Sequence, residues 1–273
     1  MISPRAIVIV SWSALLGVAT PNDALAQASA VLEVFTPHRA FVDQKVPSAV
    51  VQISPHARLN DSLDLVVFLH GWNGSARALM GNLADAHVSA GTPTLFIIPQ
   101  LAYLQRSGDP GAFSQPQTFR YFLTEVLAQI ASQQKQASLT YNSVRSITLV
   151  AHSAGYETAL AVIEHGGVSA KLKNIVLLDS LYSRPERFAQ WLGEQPSGRL
   201  LSIFQGRGKT YRMNQRLSKA IKTTLGDGQV SEQNIDKLAS VPHSVRALVM
   251  QSQQRHGAMP SKHLTPVLRW LWH

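Results

Sequence analysis

The sequence predicts an α/β protein whose mainly parallel, doubly wound sheet is covered by helices on both faces. Two observations support this fold class. Continuous apolar runs, such as 65–69 within the segment 63–69 and 175–178 within the segment 174–178, are typical of strands that are buried on both faces of a parallel sheet. These runs alternate along the chain with segments of helical periodicity, such as 119–130, and this alternation is typical of parallel sheets.

The elements follow one another without a repeat or a low-complexity tract, so residues 29–273 are expected to form one domain. Strands are predicted at 31–35, 49–53, 63–69, 94–98, 146–150, 174–178, 199–204 and 245–250. Helices are predicted at 76–89, 119–130, 156–164, 186–192, 211–224, 230–238 and 260–272. Ser75 is placed to cap one helix, and Pro260 suits the first turn of another.

The N-terminus has the organisation of a secretory signal peptide. Arg5 precedes an apolar run over 6–19, and small residues around Ala26 and Ala28 offer cleavage sites. A membrane-spanning helix needs about 20 apolar residues, which this run does not reach. Residues 1–28 are therefore predicted to be removed on export to the periplasm or the medium. No transmembrane segment is expected in the mature chain.

The composition excludes several classes of function. The chain of 273 residues has no cysteine, which excludes disulfides, thiolate catalysis and cysteine-ligated zinc. The net charge is +9, but no basic stripe with interleaved aromatic residues indicates nucleic-acid binding. We also find no metal-ligand spacing and no glycine-rich phosphate loop, so no cofactor is expected.

A serine lies in the pentapeptide Ala151-His152-Ser153-Ala154-Gly155, after an apolar strand and before a helical pattern. A serine on such a turn presents its hydroxyl at the end of the strand, and small residues two positions away let the strand and helix backbones approach. This order resembles the nucleophile elbow of the α/β-hydrolase superfamily, with Ala151 in place of the usual first glycine. The resemblance, which extends from Leu63 to the end of the chain, implies that Ser153 is a nucleophile.

The segment His70-Gly71-Trp72-Asn73-Gly74 resembles the His-Gly oxyanion loop of the same superfamily. The resemblance implies that the N–H of Trp72 or Asn73, together with the N–H of Ala154, stabilises an oxyanion. Gly71 lets the backbone come close to the substrate oxygen. His70 is expected to be structural.

The catalytic acid is predicted to be Asp179. Functional groups of doubly wound sheets gather at the carboxyl ends of the strands, and Asp179 ends the strand after that of Ser153. Many members of the superfamily carry the acid one strand later, where this chain has no carboxylate at 205–207. Asp227 is the alternative, on a loop that is also explained as a turn.

The catalytic base is predicted to be His256, in the loop between the last strand and the last helix, beside Gly257. His263, inside that helix, is the alternative. His243 precedes the last strand, which places it at the opposite edge of the sheet. The order Ser, Asp, His is the one that the superfamily uses.

Together these features predict an exported serine hydrolase that cleaves an ester, or an amide, through an acyl-serine intermediate. The expected substrate is a small-molecule or lipid-like acyl compound. Peptidase and acyltransferase activities on the same fold stay open, because the superfamily hosts many reactions. A non-catalytic binding protein of the cell envelope is the alternative from another class.

Overall fold

The computed structural model describes residues 29–43, 45–59 and 62–272. The predicted signal peptide at 1–28 lies outside this part of the chain. Within the described ranges, no helix combines the length and apolar character that crossing a membrane requires.

The described residues form a nine-stranded sheet with the order β1-β2-β4-β3-β5-β6-β7-β9-β8. The strands are β1 (Ala30–Val34), β2 (Ala49–Ile53), β3 (Leu63–Leu69), β4 (Thr94–Pro99), β5 (Val144–His152), β6 (Leu172–Leu178), β7 (Arg199–Gln205), β8 (Val230–Asn234) and β9 (Ala247–Ser252). β2 runs antiparallel to β1 and β4, and all other neighbours are parallel.

Helices cover both faces of this sheet, which confirms the predicted fold class. They are α1 (Ala76–Ala90), α2 (Thr118–Gln134), α3 (Gly155–His165), α4 (Pro185–Glu194), α5 (Gly208–Leu225) and α6 (Met259–Trp272). Apolar residues of α2, α3, α4 and α5 pack in one core cluster, and those of α1 and α6 pack in the other. Leu65 and Val67 of β3 enter the first cluster, whereas Val66 and Phe68 enter the second, so successive residues of this part of the strand must be apolar.

The helix predicted over 230–238 is wrong. Residues Val230–Asn234 form β8, which pairs in parallel with β9, and Ile235–Ser240 form a 3₁₀ helix. β8 is an edge strand whose side chains are half-buried or exposed. It therefore lacks both the continuous apolar run and the alternation that identify strands from sequence.

The register of the parallel strands brings their carboxyl ends to one edge of the sheet. Leu69 lies opposite Ala151, and His152 lies opposite Leu178. Gln205 lies opposite Ser252 at the same edge. We call this edge, with the loops that leave it, the carboxyl rim.

Buried His87 joins α1 to the sheet. Its Nδ1–H donates to Gln52 Oε1 at 2.8 Å, and its Nε2 accepts from Thr94 Oγ1 at 2.7 Å. The ring also stacks on Phe96 at a centroid distance of 4.9 Å. Burial lowers the pKa of His87 to about 4, so the ring is neutral at neutral pH.

Candidate active site

Ser153 lies on the carboxyl rim, on the turn between β5 and α3, with a left-handed φ of 56°. Such a φ is uncommon for a residue with a side chain and is often found at functional sites. Two residues later, a Cβ on Gly155 would lie 2.1 Å from the Leu69 carbonyl oxygen. Only glycine allows this contact, so the predicted close approach of helix and strand backbones is present.

Asp179 leaves β6 on the same rim, with a left-handed φ of 45°. Its Oδ2 accepts a hydrogen bond from His256 Nδ1 at 2.7 Å, and its Oδ1 accepts from Thr210 Oγ1 at 2.7 Å. Burial by itself would raise the pKa of Asp179, but the bonds from His256 and Thr210 outweigh it and hold the pKa below its usual value. The carboxylate is therefore ionised and faces the histidine.

His256 begins a 3₁₀ turn, His256–Ala258, between β9 and α6. Because Asp179 accepts from Nδ1–H, a neutral His256 carries its proton on Nδ1 and has a free lone pair on Nε2. No hydrogen bond joins Ser153 Oγ to this ring within the described residues. In ligand-free sites such bonds are often long and tighten when substrate binds. The neighbouring backbone is held close, since Ser180 Oγ donates to the Ser153 carbonyl oxygen at 2.7 Å.

His152, which precedes the serine, holds the other side of His256. The two ring centroids are 4.6 Å apart, and His152 Nε2–H donates to the His256 carbonyl oxygen at 3.0 Å. Burial, followed by the charge of His256, lowers the pKa of His152 to about 4. His152 is thus a neutral donor that contacts both the ring and the backbone of His256. The sequence analysis names His152 only as one residue of the pentapeptide and assigns it no role.

The oxyanion loop lies against the serine turn. A Cβ on Gly71 would lie 2.6 Å from Ser153 Cβ and 3.0 Å from the Ala154 nitrogen, so glycine is required there. The N–H of Asn73 is already engaged, because it donates to the Gln105 carbonyl oxygen at 2.7 Å. Among the described residues no such bond engages the N–H of Trp72 or of Ala154. Of the two predicted loop donors, Trp72 is therefore the one that is free.

His70 lies buried directly after β3. Its buried ring donates from Nδ1 to the Gly71 carbonyl oxygen at 2.9 Å and accepts at Nε2 from the Leu101 N–H at 3.1 Å. A Cβ on Gly74 would lie 2.0 Å from the ring. His70 therefore fixes the fold of the loop that carries Gly71 and Trp72.

Tyr182 is a further side chain at the site that sequence reasoning missed. Its ring lies 5.9 Å from that of Tyr156 on α3, the helix that follows Ser153. Burial, followed by the charge of Asp179, raises the pKa of Tyr182, so the hydroxyl keeps its proton. Nothing local in the sequence marks this tyrosine, since its partners belong to other elements.

The alternative candidates for the catalytic base and acid make other contacts. His263 Nε2 is hydrogen bonded to Ser252 Oγ at 2.8 Å, and His243 stacks on Trp270 at 5.0 Å. Asp227 belongs to the short 3₁₀ helix Asp227–Gln229 after α5, and in the described structure it makes no hydrogen bond to His256. The described part of the chain also contains no group of three or more metal-ligating side chains.

Several solved structures are similar in fold. The feruloyl esterase module from Clostridium thermocellum, complexed with sinapinate, is 12% identical with a TM-score of 0.56, over 98% of this chain and 96% of that chain. An S-formylglutathione hydrolase from Agrobacterium tumefaciens is 13% identical with a TM-score of 0.51, over 89% and 93%. The fluorophosphonate-binding serine hydrolase F from Staphylococcus aureus, with substrate bound, is 12% identical with a TM-score of 0.52, over 90% and 98%.

No model of a known protein family matches the sequence, and no curated protein does. The likeness to these solved structures covers 89% to 98% of this chain. The chain has the α/β-hydrolase fold.

Proposed function

We propose that this protein is a serine hydrolase that cleaves an ester through an acyl-Ser153 intermediate. The observation that carries the proposal is the 2.7 Å bond between His256 Nδ1 and ionised Asp179, on the same rim as Ser153. This bond leaves His256 Nε2 free to act as a base, and Asp179 stabilises the imidazolium that then forms.

The proposed reaction has two steps. His256 Nε2 takes the Ser153 proton while Oγ attacks the ester carbonyl carbon, and the N–H groups of Ala154 and Trp72 stabilise the oxyanion. The imidazolium then protonates the leaving alcohol oxygen as its bond to the carbonyl carbon breaks. Water, deprotonated by His256, next attacks the acyl-enzyme and releases the acid and Ser153.

An ester is favoured over an amide because two of the similar solved structures are named for ester or thioester cleavage, a feruloyl esterase module and an S-formylglutathione hydrolase. Because these neighbours are only 12% and 13% identical, they support the type of bond that is cleaved but not a particular substrate. Either a small soluble ester or a lipid-like ester is compatible with the proposal.

Export is part of the proposal. The charged start, short apolar run and small residues before position 29 support cleavage near Ala26 or Ala28 and a site of action outside the cytoplasm. N-terminal sequencing of the protein from the cell envelope or medium tests this, since a chain that still begins at Met1 would contradict it.

Labelling with a fluorophosphonate tests the catalytic proposal. The purified protein should form a covalent adduct that peptide mass spectrometry places on Ser153, and it should hydrolyse p-nitrophenyl acetate. Ser153→Ala should lose both, whereas Ser180→Ala, which changes a neighbouring serine, should still be labelled. An unlabelled, folded wild-type protein would point to a binding protein instead.

His152 provides a separate prediction. His152→Leu removes the donor to the His256 backbone, so kcat should fall about fivefold with little change in KM, which corresponds to one hydrogen bond of about 1 kcal/mol. His152→Gln keeps an N–H donor and should recover much of the loss. Steady-state kinetics of both variants on the same ester measure the effect. If both variants are equally slow, the hydrogen bond does not position His256.

A further inference from the structure

Exposed apolar side chains concentrate beside the candidate active site. Five large apolar side chains are exposed among the described residues, and four of them lie on loops of the carboxyl rim. These four are Val42 (86%), Trp72 (57%), Tyr103 (37%) and Leu104 (56%). The fifth, Tyr121, belongs to α2. Scattered exposed apolar residues are ordinary, but a group at one edge indicates a binding surface.

These loops are joined to each other and to the serine. The Asn73 N–H donates to the Gln105 carbonyl oxygen at 2.7 Å, and the Leu104 N–H donates to the Gly74 carbonyl oxygen at 3.3 Å. Gly71, in the same loop as Trp72, packs against Ser153. The side chains of Trp72, Tyr103 and Leu104, which we call the apolar shelf, therefore lie on loops that are bonded to each other, one of which packs against Ser153.

The backbone conformation of Leu104 costs folding free energy. Its φ is 51°, a left-handed value that disfavours a bulky side chain and favours glycine or asparagine. Because 56% of the residue is exposed, burial offsets little of this cost. Residues held in rare backbone conformations cluster at functional sites. A leucine here is explained if its side chain is covered when a ligand binds.

A cleft adjoins the shelf. It has a volume of about 230 Å³ and a mixed lining, which is apolar from Phe41, Val42, Val46, Pro47, Leu101 and Tyr103 and polar from Arg39, Asp43, Gln100 and Gln105. Its Arg39 is already engaged, since the guanidinium donates to the carbonyl oxygens of Thr36 and Asp43. Whole-ligand pockets measure about 300–1,000 Å³, so this cleft suits one group of a larger molecule.

We propose that the apolar shelf and its cleft bind an apolar group of the substrate ester. This inference rests on the proposed ester hydrolysis at Ser153 and names its substrate class as esters with an apolar group beyond the reacting carbonyl. Burying that group against Leu104 and Tyr103 removes apolar surface of both partners from water. An aliphatic chain and an aromatic ring share this chemistry.

The test compares two ester series, aliphatic (p-nitrophenyl acetate to octanoate) and aromatic (p-nitrophenyl phenylacetate), all below their aggregation concentrations. Leu104→Asn, whose new residue suits the left-handed φ, and Tyr103→Ser reduce the shelf. Tyr121→Ser is the matched control, because it removes an exposed aromatic ring outside the shelf. The measured quantity is kcat/KM for each ester relative to that for the acetate.

We expect the wild-type protein to have a higher kcat/KM for the longer aliphatic esters or for the phenylacetate than for the acetate. The preferred series shows whether the bound group is aliphatic or aromatic. Leu104→Asn and Tyr103→Ser should each lower this preference roughly 5- to 20-fold, toward the lower end of the effect of one apolar group in a binding pocket. The rate of each variant on the acetate is the reference for its own preference, and Tyr121→Ser should behave as wild type.

Three results would overturn the inference in distinguishable ways. If both shelf variants keep the wild-type preference and still hydrolyse the acetate, the shelf does not bind the substrate, whereas the proposed hydrolase activity stands. A loss that appears only when the octanoate is also assayed above its aggregation concentration assigns the surface to a lipid aggregate instead. Absence of both acetate hydrolysis and fluorophosphonate labelling in wild type rejects the proposed function, and the shelf as a substrate site with it.

Discussion

Asp179→Asn should leave the fold intact and lower kcat by up to about 10⁴-fold. The carboxylate accepts from His256 Nδ1 at 2.7 Å and is the only charged group that the structure places on that nitrogen within the described residues. An asparagine amide can donate to Nδ1, which moves the ring proton to Nε2, where it blocks proton transfer from Ser153. The amide also cannot stabilise the imidazolium as a carboxylate does. Steady-state kinetics on the preferred ester, with thermal unfolding as the check on the fold, measure the effect.

Asp227→Asn is the matched control for this change. Asp227 makes no hydrogen bond to His256 in the described structure, so its amide variant should have nearly the activity of wild type. The assignment of Asp179 is wrong if the two variants are equally active, or if Asp227→Asn is the slower one.

Gly71→Val should lower kcat by about 10²–10³-fold, the range associated with the loss of one oxyanion donor. A side chain at this position would meet Ser153 Cβ at 2.6 Å and the Ala154 nitrogen at 3.0 Å. The loop must then move away from the serine turn, which separates the N–H groups of Trp72 and Ala154. The kinetics of the folded variant on p-nitrophenyl acetate measure the change.

Gly81→Val is the control for that substitution. Gly81 lies in α1, and a Cβ there would meet nothing within 4 Å, so the variant should keep full activity. If folded Gly71→Val retains the wild-type rate, the loop at 70–74 takes no part in the mechanism.

The buried centre of the sheet was predictable because each strand is apolar on both faces. β3 contributes alternate residues to two cores, and this requirement is visible in the sequence as a continuous apolar run. β8 was not predictable, because its only determinant is pairing with β9 at the edge of the sheet. Pairing between separate segments leaves no periodic pattern in an exposed strand.

The candidate site also has one part that was predictable from the sequence and another that was not. Ser153, Asp179 and His256 follow strand ends, so the topology of a parallel sheet is enough to bring them to one rim. The stacking of His152 on His256 joins residues 104 positions apart, and the engagement of Asn73 by Gln105 depends on how two loops meet. Such contacts depend on loop conformations, which the pattern of apolar residues does not determine.

Neutral, buried His87 makes the free energy of unfolding depend on proton uptake. Its pKa is about 4 in the folded protein, against an ordinary 6.5, so the unfolded chain binds more protons between these values. Stability from this group is therefore complete above pH 6.5, falls as the pH drops toward 4 and then levels off. The loss at pH 5 is about 2 kcal/mol for the one residue.

Urea unfolding at pH 7.5 and pH 5.0 measures this linkage. His87→Leu should reduce the pH dependence, whatever its effect on stability at neutral pH, and an unchanged dependence would contradict the assignment. His87, which joins α1 to β2 and β4, thereby makes the scaffold less stable in acid, at the opposite end of the strands from the residues proposed to carry out the reaction.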